Sequence, residues 1–355
     1  MALATRALTH WTTSRLLSPY FHRSGWVQLS PRGSDQRARV RANFAAREAR
    51  GEGLDESRDV GLREVKDGFA GLLAETDVGG FEGAYWNPGA GWAEADKALA
   101  AMLEGWWGGG EGEGGEVISA DRVVLATGAW TSEVMEGVEA ELGIRGEGRV
   151  EGQAKAAGVC VAHFRLGGKE MERWEGAPVV VYGGEGEVIP PLSSGHLKFT
   201  NASTFTSTRA TATGHLISIP PDSQTAVPAR LKAETLALVK RIMPSMLSDN
   251  RTVDYWRLCW DSITPTQDQL ITRHPDPRLA NLYLAVGGSF HSWKFLPIIG
   301  EYVVNVLEGR GNGKEMDERW GWKKEGWGAG KGKKGAHEKV VPTRELADLE
   351  ERMKL

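Results

Sequence analysis

One segment near the carboxyl end constrains the fold more than any other. Residues 281–286 (NLYLAV) form a β-prone apolar run, and Gly287 and Gly288 follow it directly. Apolar residues then recur at helical spacing as far as Gly309, at Phe295, Ile298, Ile299, Tyr302, Val303, Val306 and Leu307. A strand, a glycine turn and a helix in this order point backbone N–H groups at an anion. The segment therefore predicts an α/β protein.

Other segments predict further strands. Residues 122–127 (RVVLAT) are almost continuously apolar and end at Gly128, which is typical of a buried parallel strand. Between about 150 and 220 the pattern changes to short strands such as APVVVY and HLISIP, separated by Gly and Pro. That pattern favours a mostly antiparallel sheet in a second domain.

Three further segments predict helices. Residues 36–49 are charged and rich in helix-forming residues, and Pro228 begins a helix that ends at Ile242. A third helix is predicted over residues 91–106. Its buried stripe is expected at Trp92, Ala95, Leu99, Met102 and Leu103.

Composition excludes several classes of protein. The net charge is -4 over 355 residues, so nothing indicates a nucleic-acid partner or an anionic membrane surface. Two cysteines are too few for a disulfide framework, and the eight scattered histidines predict no metal site. No apolar run approaches the roughly 18 residues of a spanning helix, so no membrane span is expected.

Residues 108–115 (GGGEGEGG) contain a literal G-x-G-x-x-G from Gly110 to Gly115. This motif binds dinucleotides only after a strand and before a helix, and neither is predicted here. Glu111 and Glu113 would also repel a pyrophosphate. The segment is interpreted as a flexible loop.

Four segments together resemble a known family. They are NPGAGWAEADKAL (87–99), ADRVVLATGAWTSEV (120–134), CWDSITPTQDQLITRHP (259–275) and LYLAVGGSFHSWKFLPIIGEYVVNVLEG (282–309). The last two are the most specific. They are similar to FAD-dependent amine oxidases of the D-amino acid oxidase-like superfamily, the group of sarcosine oxidase, pipecolate oxidase and fungal fructosyl amino acid oxidase. Weaker similarity covers most of residues 1–350.

The resemblance implies a flavoenzyme of mixed α/β and α+β class. A Rossmann-like FAD domain would be interleaved with a mostly antiparallel substrate domain. The family's opening βαβ unit, with its own G-x-G-x-x-G, is not found here, so the chain is expected to be N-terminally truncated. The expected division is a helical connecting region (1–80), an FAD-domain segment (81–140), a substrate domain (141–258), the FAD domain's C-terminal segment (259–310) and a Gly/Lys/Trp-rich tail (311–355).

The resemblance also implies an activity. The family oxidises the secondary amine of an N-substituted amino acid to an imine, with oxygen as acceptor and hydrogen peroxide as product. The partners expected are therefore a small amine that bears a carboxylate, and oxygen. Nothing in the sequence chooses among sarcosine, pipecolate and a glycated amino acid. The alternative is an inactive remnant, or an incomplete gene model, that cannot bind FAD.

Three residues match the family's chemistry. Cys259 matches the cysteine joined covalently to the flavin, although most cysteines are small buried hydrophobes. Lys294 matches the lysine that pairs with the substrate carboxylate. Lys198 resembles the lysine that promotes electron transfer to oxygen, and an ordinary strand lysine is an equal alternative. Ala202 replaces a histidine found in sarcosine oxidase, which argues against sarcosine as the substrate.

A second set of residues is expected to lie around the cofactor. Asp261 follows Cys259 by two residues and is expected to form a hydrogen bond near the flavin, with an exposed turn residue as the alternative. Gly128 could simply end a strand, and Trp130 could simply belong to the core. The full cofactor-binding set is Cys259, Asp261, Thr127, Gly128, Trp130, Gly287, Gly288 and Phe295.

Two further interpretations concern class and location. A nicotinamide dehydrogenase would share the strand and helix pattern, but it would have no use for the CWDSITP and FHSWKF segments. Residues 1–34 carry Arg, Ser and Thr without an acid, as a mitochondrial transit peptide does, although SPYFHRSGWVQL resembles the family's interior sequence. A cytoplasmic or peroxisomal location is expected, and the C-terminal Met-Lys-Leu only loosely resembles a peroxisomal signal.

Overall fold

The computed structural model describes residues 2–51, 57–104, 119–324 and 342–351. Helices occur throughout these ranges. They are α1 (Ala2–Thr13), α2 (Gln36–Glu48), α3 (Leu62–Asp67), α4 (Ala95–Glu104), α5 (Thr131–Glu141), α6 (Gly168–Arg173), α7 (Ala229–Ile242), α8 (Leu296–Leu307), α9 (Lys314–Trp320) and α10 (Leu346–Glu351). The predicted helices over residues 36–49 and 228–242 are confirmed as α2 and α7. The glycine segment 108–115 lies outside the described residues.

The strands form one large sheet and three small ones. They are β1 (Phe21–His22), β2 (Trp26–Pro31), β3 (Arg58–Val60), β4 (Phe81–Asn87), β5 (Trp92–Ala93), β6 (Val123–Leu125), β7 (Lys155–Arg165), β8 (Val179–Tyr182), β9 (Gly186–Ile189), β10 (His196–Phe205), β11 (Thr208–Ala210), β12 (Leu216–Ser218), β13 (Tyr255–Ile263), β14 (Leu270–Arg273) and β15 (Leu282–Val286).

The large sheet runs in the order β13-β7-β10-β9-β8-β2-β4-β3. Every pair of neighbouring strands in this sheet is antiparallel except the pair formed by β2 and β8. This confirms the mostly antiparallel pattern predicted from the short strands. One face of this sheet carries the main core, where Phe164, Phe199 and Leu29 pack with Val239 and Ile242 of α7. The expected domain boundary between residues 258 and 259 falls inside β13.

The strand, glycine turn and helix predicted over residues 281–309 are confirmed: β15 is the strand and α8 is the helix. β15 pairs in parallel with β6 and antiparallel with β14. Phe295 and Ile298 are buried against Leu3 and Trp11 of α1, so the basic N-terminal stretch is part of the folded core. The observed architecture is a mixed α/β fold.

Two burial predictions were wrong. The helix predicted from Gly91 starts only at Ala95, because residues 92–93 pair with β1 instead. Its buried residue is Ala98, whereas Leu99 and Leu103 are 44% and 49% exposed. Likewise β6 spans three residues at the edge of its sheet, and Val123 is 45% exposed instead of buried.

Candidate active site

The end of the large sheet formed by β10, β7 and β13 has one accessible face. Lys198 pairs with His163, which pairs in turn with Tyr255, and Cys259 pairs with Val159. Cross-strand partners and alternate residues share a face of a sheet. Lys198 and Cys259 therefore lie on the same face, four residues or about 13 Å apart along the strand direction.

The two cysteines differ sharply in environment. Cys160 is fully buried on the opposite face, in contact with Phe205 and Leu231, and burial raises its thiol pKa to about 11. Cys259 is a free thiol and is only partly buried. Because the thiolate is the reactive form, Cys160 is inert at neutral pH and Cys259 is the cysteine available for chemistry.

Two polar atoms on the accessible face have no hydrogen-bond partner among the described residues. They are Thr200 Oγ1 and His163 Nδ1, and both are buried. The pKa of His163 falls to about 4, because burial and the nearby Lys198 both oppose its charged form. Buried polar atoms are rarely left unpaired in folded proteins. The face is therefore suited to a ligand that can accept or donate hydrogen bonds.

Asp261 ties this face to the glycine turn. Its carboxylate accepts hydrogen bonds from Ser262 N at 2.7 Å and Phe290 N at 2.6 Å, and burial raises its pKa. A Cβ on Gly288 would lie 2.6 Å from both carboxylate oxygens, so only glycine permits this approach. The exposed-turn interpretation of Asp261 is thus wrong, because the residue lies within β13 and is partly buried beneath the turn.

The turn itself is conformationally strained. Ser289 and Phe290 have φ values of +49° and +60°, a region that non-glycine residues adopt at a cost. Ser262 O and Thr264 N hold the turn through hydrogen bonds with Ser289 at 3.0 and 3.3 Å. Sequence analysis missed Ser289 and Phe290, because a positive φ in such residues has no local sequence signal. Strain that tertiary contacts maintain in this way is concentrated at functional sites.

Residues 127–130 form a second turn, which packs against β13 and β7. Thr131 donates a hydrogen bond to Gly128 O at 2.6 Å, and its hydroxyl lies 2.9 Å from Thr127 Oγ1. Gly128 has a φ of +54°, so it does more than end a strand. Trp130 is 44% exposed, so it is not a core residue.

Lys294 lines a cavity of about 460 Å³. Its backbone carbonyl accepts a hydrogen bond from Trp11 Nε1 at 2.8 Å, which ties α1 to the start of α8. Lys294 is an exposed residue on this cavity wall, and partial desolvation of its ammonium lowers its pKa. The aromatic lining comprises Trp11, Phe21, Trp26, Trp92 and Trp293. Neither Cys259 nor Lys198 is among the described residues that line it.

Phe295 lies beneath Lys294 at the start of α8. It is 8% exposed and packs with Leu3, Trp11 and Ile298. The Lys294 ammonium lies 5.2 Å from the centre of its ring, a distance at which a cation is attracted to the aromatic face. Phe295 therefore supports the lysine from below, and direct contact with a cofactor stays a prediction.

The described residues contain neither a cluster of metal ligands nor a membrane-spanning helix. No group of three or more His, Cys, Asp or Glu side chains in these ranges is arranged to hold a metal ion. None of the helices described is long and apolar enough to cross a membrane.

Comparison with known proteins places the chain in a family. The family model described as DAO, FAD dependent oxidoreductase, matches residues 1–306. The chain is similar to an L-saccharopine oxidase of Schizosaccharomyces pombe, with 24% identity over 60% of this chain and 47% of that protein. It is also similar to the amino acid oxidase fsqB of Aspergillus fumigatus, with 41% identity over 18% of this chain and 13% of that one. The matched segments span less than half of the length of these relatives.

Solved structures show the same fold. Fructosyl peptide oxidase from E. terrenum superimposes with a TM-score of 0.73, at 24% identity over 98% of this chain and 82% of that one. The fructosamine oxidase Amadoriase II from Aspergillus fumigatus gives a TM-score of 0.75, at 21% identity over 99% and 83%. Because the family model matches residues 1–306 of its 355, this chain belongs to the DAO family of FAD-dependent oxidoreductases.

Proposed function

We propose that this protein oxidises the secondary amine of a carboxylate-bearing, N-substituted amino acid to the imine, with oxygen as acceptor. The amine loses two electrons and two protons, which leave as hydrogen peroxide once oxygen has accepted them. One observation carries the proposal. The accessible Cys259 and the glycine turn that leads to Lys294 are joined through the partly buried carboxylate of Asp261.

The residues around the accessible face fit a flavin. The unpaired Thr200 Oγ1 and His163 Nδ1 could pair with a polar heterocycle, and Cys259 offers a thiol for attachment. The turns at residues 127–130 and 287–288 would hold the cofactor beside β13. FAD, when bound, supplies a two-electron acceptor.

Two lysines would serve the substrates. Lys294, partly desolvated at the cavity wall, would bind the carboxylate of the amine by a charge-assisted hydrogen bond. Lys198 places a positive charge on the accessible face, where it would stabilise negative charge that develops on oxygen. The relatives named as an L-saccharopine oxidase and fructosyl peptide oxidases support a substrate of amino-acid type.

The visible absorption spectrum before and after acid precipitation tests the proposal. We expect flavin bands that stay with the precipitated wild-type protein and with Cys160→Ser, whose thiol is buried on the other face. Cys259→Ser should release its flavin into the acid supernatant, because the thioether can no longer form. Flavin that still precipitates with Cys259→Ser would contradict attachment there. A colourless wild-type protein would contradict the flavoenzyme proposal as a whole.

A further inference from the structure

Trp92 stands between two cavities. It lines the aromatic cavity that contains Lys294, and it also lines a second cavity of about 590 Å³. The second cavity lies beyond the β1–β5 ribbon, and its other walls are formed by residues 171–177 and 190–193. Trp92 is the one aromatic residue that lines both cavities in the described part of the chain.

The backbone holds Trp92 in this place. Trp92 pairs with His22 in the two-stranded ribbon, and the two rings stack with centroids 4.2 Å apart and planes at 20°. A Cβ on Gly91 would lie 2.1 Å from His22 O, so the ribbon closes this tightly only with glycine there. Strand register and ring stacking therefore fix the position of the Trp92 indole between the two cavities.

A buried carboxylate fixes the stacking partner. Glu94 lies 3.1 Å from His22 Nε2 through one oxygen, and its other oxygen accepts hydrogen bonds from Ser193 Oγ at 2.7 Å and Lys97 Nζ at 2.8 Å. Burial alone would raise the pKa of Glu94, but these hydrogen bonds outweigh it and hold the pKa below its usual value. A charged Glu94 therefore ties β1, α4 and the 190–193 loop around Trp92.

The two cavities differ in chemistry. Five aromatic residues line the first, whereas the second combines apolar residues such as Trp174 and Leu192 with the charged Arg23, Glu94, Glu172 and Glu175. We propose that Trp92 is the partition that limits the length of the substrate's N-substituent, and that its removal admits longer substituents into the second cavity. This inference rests on the proposed function, since it assumes that Lys294 binds the carboxylate of the amine substrate.

A chain-length series tests the partition. The ratio of kcat/KM for N-octylglycine to that for N-methylglycine should rise at least about tenfold in Trp92→Ala, because a pocket typically discriminates by this factor or more for each methylene that it must exclude. Trp92→Phe keeps a ring against His22 and should retain the wild-type ratio. Trp256→Ala is the matched control, because Trp256 lines neither cavity, and it should leave the ratio within about twofold.

A second measurement is independent of turnover. (Methylthio)acetate and (octylthio)acetate carry sulfur in place of the amine nitrogen and keep the carboxylate, so they can bind but cannot be oxidised to an imine. Their dissociation constants should show the same shift in Trp92→Ala, and in Trp92→Leu should the alanine variant fail to fold. Equal ratios in the wild type and these variants would overturn the partition. Absence of amine oxidation alongside the shifted binding ratio would overturn the proposed reaction and leave the partition standing.

Discussion

At the scale of single residues, Lys294 has the most specific assignment to test. Lys294 is exposed at the cavity wall and desolvation lowers its pKa, so a substrate carboxylate can reach the ammonium and would favour its charged form. Lys294→Met should therefore weaken kcat/KM for carboxylate-bearing amines at least about 30-fold, the equivalent of ~2 kcal/mol. Lys294→Arg, which keeps the charge, should recover part of the loss. Steady-state kinetics that show an unchanged kcat/KM would remove Lys294 from the site.

Gly288 and Gly300 differ in the space available for a Cβ atom, so alanine substitutions at the two positions can be compared directly. Gly288→Ala would force a Cβ to 2.6 Å from the Asp261 carboxylate and should destabilise the protein by about 1–3 kcal/mol, with loss of bound flavin. Gly300 lies in α8 with open space around it, so Gly300→Ala should stabilise the protein by about 0.5–1 kcal/mol. Urea unfolding measures both. Equal effects from the two substitutions would mean that the contact between the turn and Asp261 is unimportant.

At the scale of elements, Glu151 joins three of them. Its carboxylate accepts hydrogen bonds from Ser132 Oγ in α5 at 2.7 Å and from Ser218 N in β12 at 3.2 Å, and Lys155 of β7 lies 3.9 Å away. Burial raises its pKa to about 7, against an ordinary value of 4.5. The folded state therefore binds this proton more tightly than the unfolded state does.

Because of Glu151, the free energy of unfolding decreases as the pH rises. Stability from Glu151 is fully present below about pH 4.5 and is lost as the pH rises through about 7. Relative to Glu151→Gln, the wild type should lose about 2–3 kcal/mol between pH 5 and pH 8, measured by urea unfolding. Glu133→Gln is the control, because that carboxylate is 42% exposed, and it should leave the pH profile unchanged. Parallel pH profiles for the wild type and Glu151→Gln would show that Glu151 does not titrate in this range.

Elements also show where local sequence patterns succeed. α7 and α8 were predictable because their apolar spacing agrees with the packing partners that they meet. The start of α4 was not, because the competing partner of Trp92 is His22, 70 positions earlier in the chain. A helical pattern cannot reveal a strand partner so distant in sequence, and tertiary pairing overrode it.

At the scale of the whole molecule, the mixed α/β class followed from the pattern of strands and glycine turns, and the family followed from a few motifs. The sequence did not predict which of the site residues the fold brings together. Cys259 and Lys198 share a face only because β7 lies between their strands. The enclosure of Asp261 depends on a strained turn 27 positions further on, at Gly288, and no spacing rule predicts such a contact.

The strand order of the large sheet has a consequence for biosynthesis. β2 meets its parallel partner β8 only after about 150 further residues have been made, and β7 waits for β13 about 100 residues later. At about 5–20 residues per second, the β8-facing edge of β2 stays unpaired on the ribosome for about 8–30 seconds. During that time the nascent chain exposes strands whose backbone groups can pair with any neighbour. Mispairing between crowded nascent chains is therefore expected to be greatest before residue 263 has emerged.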